Sequence, residues 1–600
     1  MAGLTFFEMM SGYNKVGDKD DGKKFISSTV SGSFAGRLNS RPINIILSAT
    51  ARLKSLLAYT STRCYGLFLI SFGLLMLIIH FVKSYLGMGY DAPLGILIVG
   101  AASAMLGVLT VVYDKPLAIV LQDFPVTDFV LFEFFCIKRI HRRTGERGLP
   151  SFIGLILGIV LASITWVVPA EIVFFAVVGI VYLYAVMLSP EFSLFSTFLI
   201  LPYLSLLDNH EIILSVFIGF NVLSFARKVM LGRRVLYIEQ YDICIFVFLL
   251  FVLISGIFVK GMESFTSSLV MIVLASGYFL SGCIVANRRL ADCLINALII
   301  SSVPVSILSI VQFVLFINEN PFSEFSGVSA TFSSPEILAV FLISALIFTA
   351  YYIKTAASGA VTALYSIIAF ITLGALALTY NFWAIIISIM AFAVYFMSRN
   401  VKLLSISVIS FAFITSVPAL ISRELIERVS KIELLAPLGL ESFAERWETA
   451  RRMLMSNFFT GIGIGKDCYL EELEKMSETA YFADSGSFFL EIAVEAGVFA
   501  LAALLVVFII RIRHRFVYVN YVRNSQLSTL SKFTSIATAA LVALGAFNYL
   551  WSDMSMYFLF WCIFGVGSAT LRISRQEHDE RVGYYSDGRS ADSSSIDLDI

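Results

Sequence analysis

The sequence predicts an all-α polytopic membrane protein, a bundle of about 14–16 transmembrane helices with one long external loop. Its residues are 58% hydrophobic and only 14% charged, far from the usage of soluble domains. Apolar runs of about 18 residues or more recur along the chain, which is the length that crosses a bilayer as a helix. These runs are continuous rather than alternating, so helices are favoured over a closed β-barrel.

Taken in order, the apolar runs predict about sixteen spans. They cover residues 65–82, 93–113, 152–168, 171–188, 191–207, 211–226, 241–259, 268–286, 294–316, 335–353, 359–378, 382–397, 402–420, 488–510, 533–550 and 554–570. The stretch 117–135 is apolar too, but Asp123, Pro125 and Asp128 interrupt it. A cytoplasmic amphipathic segment fits this stretch better than a span.

The distribution of basic residues predicts the orientation of these spans. Clusters of arginine and lysine, such as those in 138–147, 227–234 and 511–515, fall on one side of the membrane at every turn of the chain. The positive-inside rule makes that side cytoplasmic, so both termini are expected there. The long loop, residues 421–487, is then extracellular.

This arrangement divides the chain into six parts. They are a cytoplasmic N-terminal tail (1–62), two sets of transmembrane helices (63–290 and 291–420), the long loop (421–487), the C-terminal helices (488–571) and a disordered cytoplasmic tail (572–600). The last part is predicted from its polar composition.

Charge and cysteine content exclude several classes of site. Lysine plus arginine equals aspartate plus glutamate at 43 each, and nothing in this balance indicates a nucleic-acid partner. The seven cysteines are scattered without a CxxC pair, so neither a disulfide framework nor a zinc site is predicted. We expect neither a metal nor a cofactor, and membrane lipids are the partners that composition alone indicates.

The long loop is the main polar interval of the chain, and its residues suggest a working part rather than a linker. Three arginines, Arg446, Arg451 and Arg452, alternate with glutamates, and a glycine turn at 461–465 follows them. Arginine grips a diphosphate well because its guanidinium can donate two parallel hydrogen bonds. Backbone amides of a glycine-rich turn can add contacts to an anion.

Four stretches resemble motifs of one known family. They are ATFSSPEILAVFL (330–342), LTYNFWAII (378–386), ERWETARRMLMSNFFTGIGIGKDCY (445–469) and DSGSFFLEIAVEAGVFAL (484–501). In type and order they are similar to the motifs of the O-antigen ligase and polysaccharide polymerase family, in its Gram-positive branch. The third stretch is the most specific of the four.

The resemblance implies a metal-independent, inverting glycosyltransferase embedded in the membrane. Such a protein transfers or polymerises glycan from an undecaprenyl-diphosphate carrier to a glycan or lipid acceptor at the outer face, for cell-surface or exopolysaccharide assembly. Diphosphate binding is then expected of Arg446, Arg451, Arg452, Gly463 and Gly465. The catalytic residues are expected to be Asp484, as general base, and Glu495, in support of it.

The sequence also departs from the family at three polar positions. Members usually carry arginine before the first motif, arginine in the second and histidine in the fourth; here these places hold Gly327 or Val328, Asn381 or Phe382, and Asp484 or Gly486. Either Asp484 serves as the base, or the protein has lost catalysis. The alternatives are an inactive homologue acting as a scaffold for lipid-linked glycan, or a transporter.

Each candidate residue also has a purely structural interpretation. Asp484 suits the N-cap of the helix that follows it, and Glu491 and Glu495 can support polar packing on one helix face. The three arginines can pair with Glu445 and Glu448 along a helix. The glycines can serve simply to reverse the chain at positive φ.

Overall fold

The computed structural model describes most of the chain as helix. It covers residues 56–86, 94–128, 148–168, 170–207, 210–230, 234, 236–238, 242–259, 261–286, 288–319, 327–356, 358–397, 440–476, 484–518, 525–548 and 553–594. Eight helices in these ranges are long and apolar enough to cross a membrane, and six more are shorter apolar helices. The predicted all-α polytopic membrane protein is confirmed; the predicted span 402–420 and the tail up to residue 55 lie outside the described ranges.

The chain forms two compact units. Unit A comprises Asp18–Ser193 and Ser224–Arg234, and unit B comprises Met1–Gly17, Leu194–Leu223 and Val235–Ile600. Helices between 243 and 284 pack against helices near the C-terminus, and they belong to unit B.

The described helices of unit A are α1 (Thr62–Tyr85), α2 (Leu94–Val111), α3 (Leu117–Asp123), the single turn α4 (Pro125–Thr127), α5 (Ser151–Ile164) and α6 (Ala170–Leu188). Helix α1 packs against α2 and α5 through glycines. A Cβ added at Gly73 would lie 2.6 Å from the carbonyl oxygen of Gly100. Small residues allow such close approach between membrane helices. The short α3 and α4 agree with the prediction that this stretch is not a span.

Two helices are divided between the units, α7 (Pro190–Leu204) and α8 (His210–Met230). Their unit A ends hold a buried ion cluster. Glu191 accepts a hydrogen bond from Lys228 Nζ at 2.7 Å and another from Arg234. Each charge is compensated, as a buried carboxylate requires.

Unit B contains the remaining helices. They are α9 (Ile243–Phe258), α10 (Met262–Ile284), α11 (Arg288–Glu319), α12 (Pro335–Thr355), α13 (Gly359–Leu378), α14 (Phe382–Met397), α15 (Leu440–Ser456), α16 (Lys466–Lys475), α17 (Phe488–Ala496), α18 (Val498–Tyr518), α19 (Ser525–Leu544) and α20 (Met554–Ser594). Helix α20 packs along α10 so closely that a Cβ at Gly565 would lie 2.3 Å from the Tyr278 carbonyl oxygen. Most of α12 and of the first half of α20 is buried.

One prediction about the C-terminal region is wrong: the expected span 488–510 is two helices, because Gly497 adopts φ +86° and ends α17. Helix α20 continues as far as Ser594, into the tail that was expected to be disordered. Its polar composition suggested disorder, but it contains arginine, glutamine and glutamate, which favour helix.

Candidate functional site

The long loop is folded around α17. Its helices α15 and α16 bury apolar side chains against that short helix, and all nine residues of α17 are buried. The shared core consists of Trp447, Ala450, Met453, Leu454, Ile462, Tyr469, Leu473, Leu490, Ala493 and Val494. In α15, positions 447, 450 and 454 follow the i, i+3, i+7 spacing of an amphipathic helix. This core fixes the charged residues of the loop relative to α17.

The glycine turn, residues 461–465, is threaded against the end of α17. Each of its five backbone amides donates a hydrogen bond to a protein acceptor. Gly461 donates to the Asn457 carbonyl at 3.0 Å, Ile462 to the Val494 carbonyl at 2.9 Å, Gly463 to the Glu495 carbonyl at 3.2 Å, Ile464 to Ser264 Oγ at 2.9 Å and Gly465 to Glu495 Oε1 at 3.2 Å.

Diphosphate binding by Gly463 and Gly465 stays a prediction, but the amides on which it relied already donate to acceptors within the protein. The break at Gly497 leaves carbonyls at the end of α17 without helical partners, and amides of the turn satisfy them. No amide of the turn remains for a ligand. Gly463 and Gly465 instead serve the chain reversal, with φ of +103° and +118°.

Asp484 lies beside Arg446. Arg446 Nη1 donates to Asp484 Oδ1 at 3.4 Å, and the two side chains are 27% and 34% exposed. The same Oδ1 accepts the backbone amide of Gly486 at 2.9 Å. The residue that caps α17 is Ser487, so the capping interpretation of Asp484 is wrong. Asp484 is a partly exposed carboxylate held beside a guanidinium.

Two further groups surround this pair. Glu336, near the start of α12, is exposed to solvent and lies within electrostatic range of both Asp484 and Arg446. Tyr469 of α16 is buried and interacts with the same two charges; burial, reinforced by the nearby carboxylates, raises the pKa of its hydroxyl well above the usual value. Tyr469 therefore stays protonated. Glu336 belongs to the first family-like stretch, and its electrostatic interaction with Asp484 was not predicted from the sequence.

The first and second family-like stretches pack against each other. Val328 donates its amide to the Leu378 carbonyl at 3.1 Å, and Gly327 lies so close to Thr379 that a Cβ would be 2.4 Å from its carbonyl oxygen. In the second stretch, Asn381 Oδ1 accepts the Ala384 amide at 3.0 Å at the start of α14. Asn381, where family members have arginine, thus has a structural contact.

Arg451 and Arg452 have a different environment from Arg446. Both pair with Glu448, at 2.9 Å and 3.4 Å, across three and four residues of α15. These hydrogen bonds lower the pKa of Glu448, with Arg451 contributing most. This is the helical pairing that the structural interpretation anticipated, so of the three arginines only Arg446 is brought to Asp484 by a direct contact among the described residues.

Glu495, expected to support Asp484, is instead bonded to the glycine turn. It is 3% exposed, and its own carbonyl also accepts the Ser255 hydroxyl at 2.7 Å. The carboxylate that contacts the Asp484 region is Glu491, which is 1% exposed and accepts the Ser485 amide at 2.7 Å. The two carboxylates of α17 therefore have separate tasks.

None of the five histidines of the sequence lies in the long loop, residues 421–487. In the structure, His210 adjoins Glu211 at the start of α8, and Glu211 interacts electrostatically with Asp467 of α16 and with Asp553. More than 250 positions separate Glu211 from Asp467 in the sequence, so no local pattern predicts that they are neighbours. Within the described ranges, no group of three or more His, Cys, Asp or Glu side chains is arranged to hold a metal ion.

A comparison with protein-family models finds no match, and a comparison with curated protein sequences finds no similar protein. The geometry of the site therefore carries the functional argument.

Proposed function

We propose that this protein is a membrane glycan transferase that uses an undecaprenyl-diphosphate-linked glycan as donor, acting as a ligase or polymerase in cell-surface or exopolysaccharide assembly. The observation that carries the proposal is the convergence on one carboxylate of chain segments far apart in sequence. Asp484 belongs to the fourth family-like stretch, Arg446 to the third and Glu336 to the first. Such convergence is typical of a site built for chemistry.

In this proposal Asp484 is the general base. A hydroxyl nucleophile needs a positioned acceptor for its proton, and such a base contributes about 10²- to 10⁴-fold to the rate. Asp484 is partly exposed, and no histidine among the described residues donates a hydrogen bond to it. The proton moves from the acceptor hydroxyl to the Asp484 carboxylate as that oxygen attacks the anomeric carbon. The bond from this carbon to the diphosphate oxygen breaks, and its electron pair leaves with the diphosphate.

Arg446 is the residue proposed to stabilise the leaving diphosphate. Charge develops on that group as the glycosyl bond breaks, and a guanidinium placed beside it lowers the barrier. Arg451 and Arg452, paired with Glu448, have no part in this step. Asp484 contacts Arg446 and Glu336 interacts with it electrostatically, so the donor competes with the Asp484 contact for the guanidinium.

Buried hydroxyl groups in the same stretches favour a hydroxyl-rich ligand. Thr331 Oγ1 and Ser487 Oγ are buried and have no hydrogen-bond partner among the described residues. Buried polar groups without partners are rare, and an absent water or ligand is a usual explanation. The hydroxyls of a glycan chain supply both donors and acceptors.

A second candidate is a scaffold that binds lipid-linked glycan without transferring it. One observation favours it: the glycine amides and two of the three arginines are already engaged within the protein. A transporter remains the third alternative. The interruption of a helix at Gly497, between two helical segments, is a feature that transporters also show.

The proposal puts the long loop on the outer face and both termini in the cytoplasm, because the positive-inside rule assigns the basic clusters of the sequence to the cytoplasmic side. The Arg446–Asp484 pair then meets the carrier lipid at the outer surface of the membrane. This placement matches a donor whose glycan is presented outside the cell.

The experiment is transfer by purified protein in proteoliposomes that contain an undecaprenyl-diphosphate-linked glycan and a glycan acceptor. The enzyme proposal expects products from the wild-type protein and a loss of about 100-fold or more in Asp484→Asn. The Asn side chain keeps the shape of Asp484 and an acceptor for the Gly486 amide, so folding should be preserved. Binding of the donor without transfer by the wild type supports the scaffold; neither binding nor transfer contradicts both.

A further inference from the structure

The buried helix α17 carries two carboxylates in surroundings that are otherwise apolar. Glu491 and Glu495 lie one helical turn apart, and every other residue of α17 is apolar and buried. Burying a carboxylate is costly unless hydrogen bonds compensate it. Each side chain accepts a hydrogen bond from a backbone amide outside α17. Glu491 accepts from Ser485, and Glu495 accepts from Gly465. A compensated buried carboxylate at a defined place indicates a specific task.

The partner of Glu491 is the residue directly after Asp484. The Ser485 amide donates to Glu491 Oε2 at 2.7 Å, which is a short hydrogen bond. Within the same turn, the Gly486 amide donates to Asp484 and the Ser485 hydroxyl donates to the Ser487 carbonyl at 3.0 Å. Those two bonds shape the turn internally. The bond to Glu491 attaches the turn to the rigid core of α17.

The attachment determines where Asp484 stands relative to Arg446. Arg446 is carried by α15, which packs on α17 through the shared apolar core. Asp484 is fixed to the same helix through the Ser485–Glu491 bond, so α17 is the common reference for both members of the pair. Among the described residues, that bond is the one by which a side chain of α17 holds the backbone of the turn.

From this geometry we propose that Glu491 is the positioning residue for Asp484. It acts through the backbone of Ser485 and does not touch the substrate. The inference rests on the proposed function for the role of Asp484. The Ser485–Glu491 hydrogen bond, called the tether below, is independent of any activity. Glu495 performs the equivalent task for the glycine turn and serves as the internal comparison.

The test compares side chains of similar size that differ in their ability to accept a hydrogen bond. Glu491→Gln keeps an acceptor oxygen and cannot ionise, whereas Glu491→Met removes the acceptor and keeps most of the volume. Glu495→Gln and Glu495→Met form the matched control pair, one turn away on the same helix. All four proteins are purified in lipid nanodiscs.

The first readout is hydrogen–deuterium exchange, which does not depend on catalysis. Glu491→Met should speed exchange at least about 10-fold in peptides that contain Ser485, since a lost protecting hydrogen bond of about 1.5 kcal/mol corresponds to that factor. Glu491→Gln should stay near the wild type. Glu495→Met should speed exchange at the glycine turn instead. Unchanged exchange around Ser485 in Glu491→Met would overturn the tether.

The second readout is the kinetics of glycan transfer. Glu491→Met should lower kcat by about 100-fold, as expected for a catalytic group misplaced by about 1 Å, with KM changed less than about 2-fold. Glu491→Gln should recover most of this loss. An equal loss in both variants would contradict positioning through the hydrogen bond.

The two readouts separate failure of this inference from failure of the proposed function. If the wild-type protein transfers no glycan but exchange responds as expected, the tether stands and Asp484 has another use. If Glu491→Met does not accumulate in membranes, the test relies on Glu491→Gln. This variant should keep the wild-type exchange rate around Ser485 and the wild-type kcat. Faster exchange or a lower kcat in Glu491→Gln would refute the inference.

Discussion

Replacement of Gly461 by alanine tests the placement of the glycine turn most severely. The residue adopts φ +73°, and a Cβ there would lie 2.1 Å from the Glu495 carbonyl oxygen and 2.4 Å from its carbonyl carbon. Both are backbone atoms, so no side-chain rotation relieves the overlap. The left-handed conformation costs an alanine about 1 kcal/mol, and overpacking adds about 1–3 kcal/mol. The Gly461→Ala protein is thus expected to lose about 2–4 kcal/mol of stability.

The assay is thermal unfolding of purified protein, followed by intrinsic fluorescence, with membrane abundance measured in parallel. We expect the apparent unfolding temperature of Gly461→Ala to fall by roughly 3–8 °C. The matched control is Gly374→Ala in α13, where an added Cβ meets nothing within 4 Å. Alanine is favoured over glycine inside a helix by about 0.5–1 kcal/mol, so this control should be at least as stable as the wild type. Equal stability of the two variants would refute the close packing of the glycine turn against the end of α17.

Three further predictions concern the long loop. Arg451→Gln and Arg452→Gln should leave glycan transfer within about 2-fold of wild type, because exposed i,i+3 and i,i+4 pairs contribute only a few tenths of a kcal/mol. A 100-fold loss of transfer would show instead that these arginines bind the diphosphate. The lowered pKa of Glu448 means that its pairing with the arginines stabilises the loop above the ordinary pKa of 4.5 and that this stabilisation is lost as pH falls below it. Glu448→Gln should flatten that part of the curve of stability against pH. An unaltered curve would contradict the pairing. In a protein without native cysteines, a single cysteine at Glu474 should react with an impermeant maleimide from outside whole cells, while one at Ala360 should not; the reverse pattern would invert the proposed topology.

The sequence predicts the helical membrane class because that depends on the length and polarity of apolar runs, which are local properties. It does not reveal the break at Gly497, since the residues on both sides are apolar and their pattern predicts one continuous transmembrane helix. The break is accompanied by contacts with the glycine turn: the amides of Ile462 and Gly463 donate to the Val494 and Glu495 carbonyls, and the Phe458 carbonyl accepts the Val498 amide. Tertiary hydrogen bonding here overrides the hydrophobic pattern.

The candidate site was predictable in part for the same reason. Asp484 and Arg446 were identified from the motifs, but their mutual contact required the folded loop. Glycines in a short pattern fit either an anion site or a tight reversal, and only the hydrogen-bond partners of their amides distinguish the two. The roles of Glu491 and Glu336 depend on contacts between elements, which no spacing along the chain encodes.

The central claim is that lipid-linked glycan binds at the Arg446–Asp484 pair, and photocrosslinking tests it most directly. Membranes containing the protein are illuminated with an undecaprenyl-diphosphate-linked glycan that carries a photoreactive group on its first sugar, and labelled peptides are identified by mass spectrometry. We predict labelling of peptides that contain Arg446 or Asp484, suppressed by excess unlabelled donor and reduced at least about 10-fold in Arg446→Gln, since a hydrogen bond from a charged group contributes about 1.5–3 kcal/mol. Labelling confined to the helices of unit A, or unaffected by competition, would contradict the account.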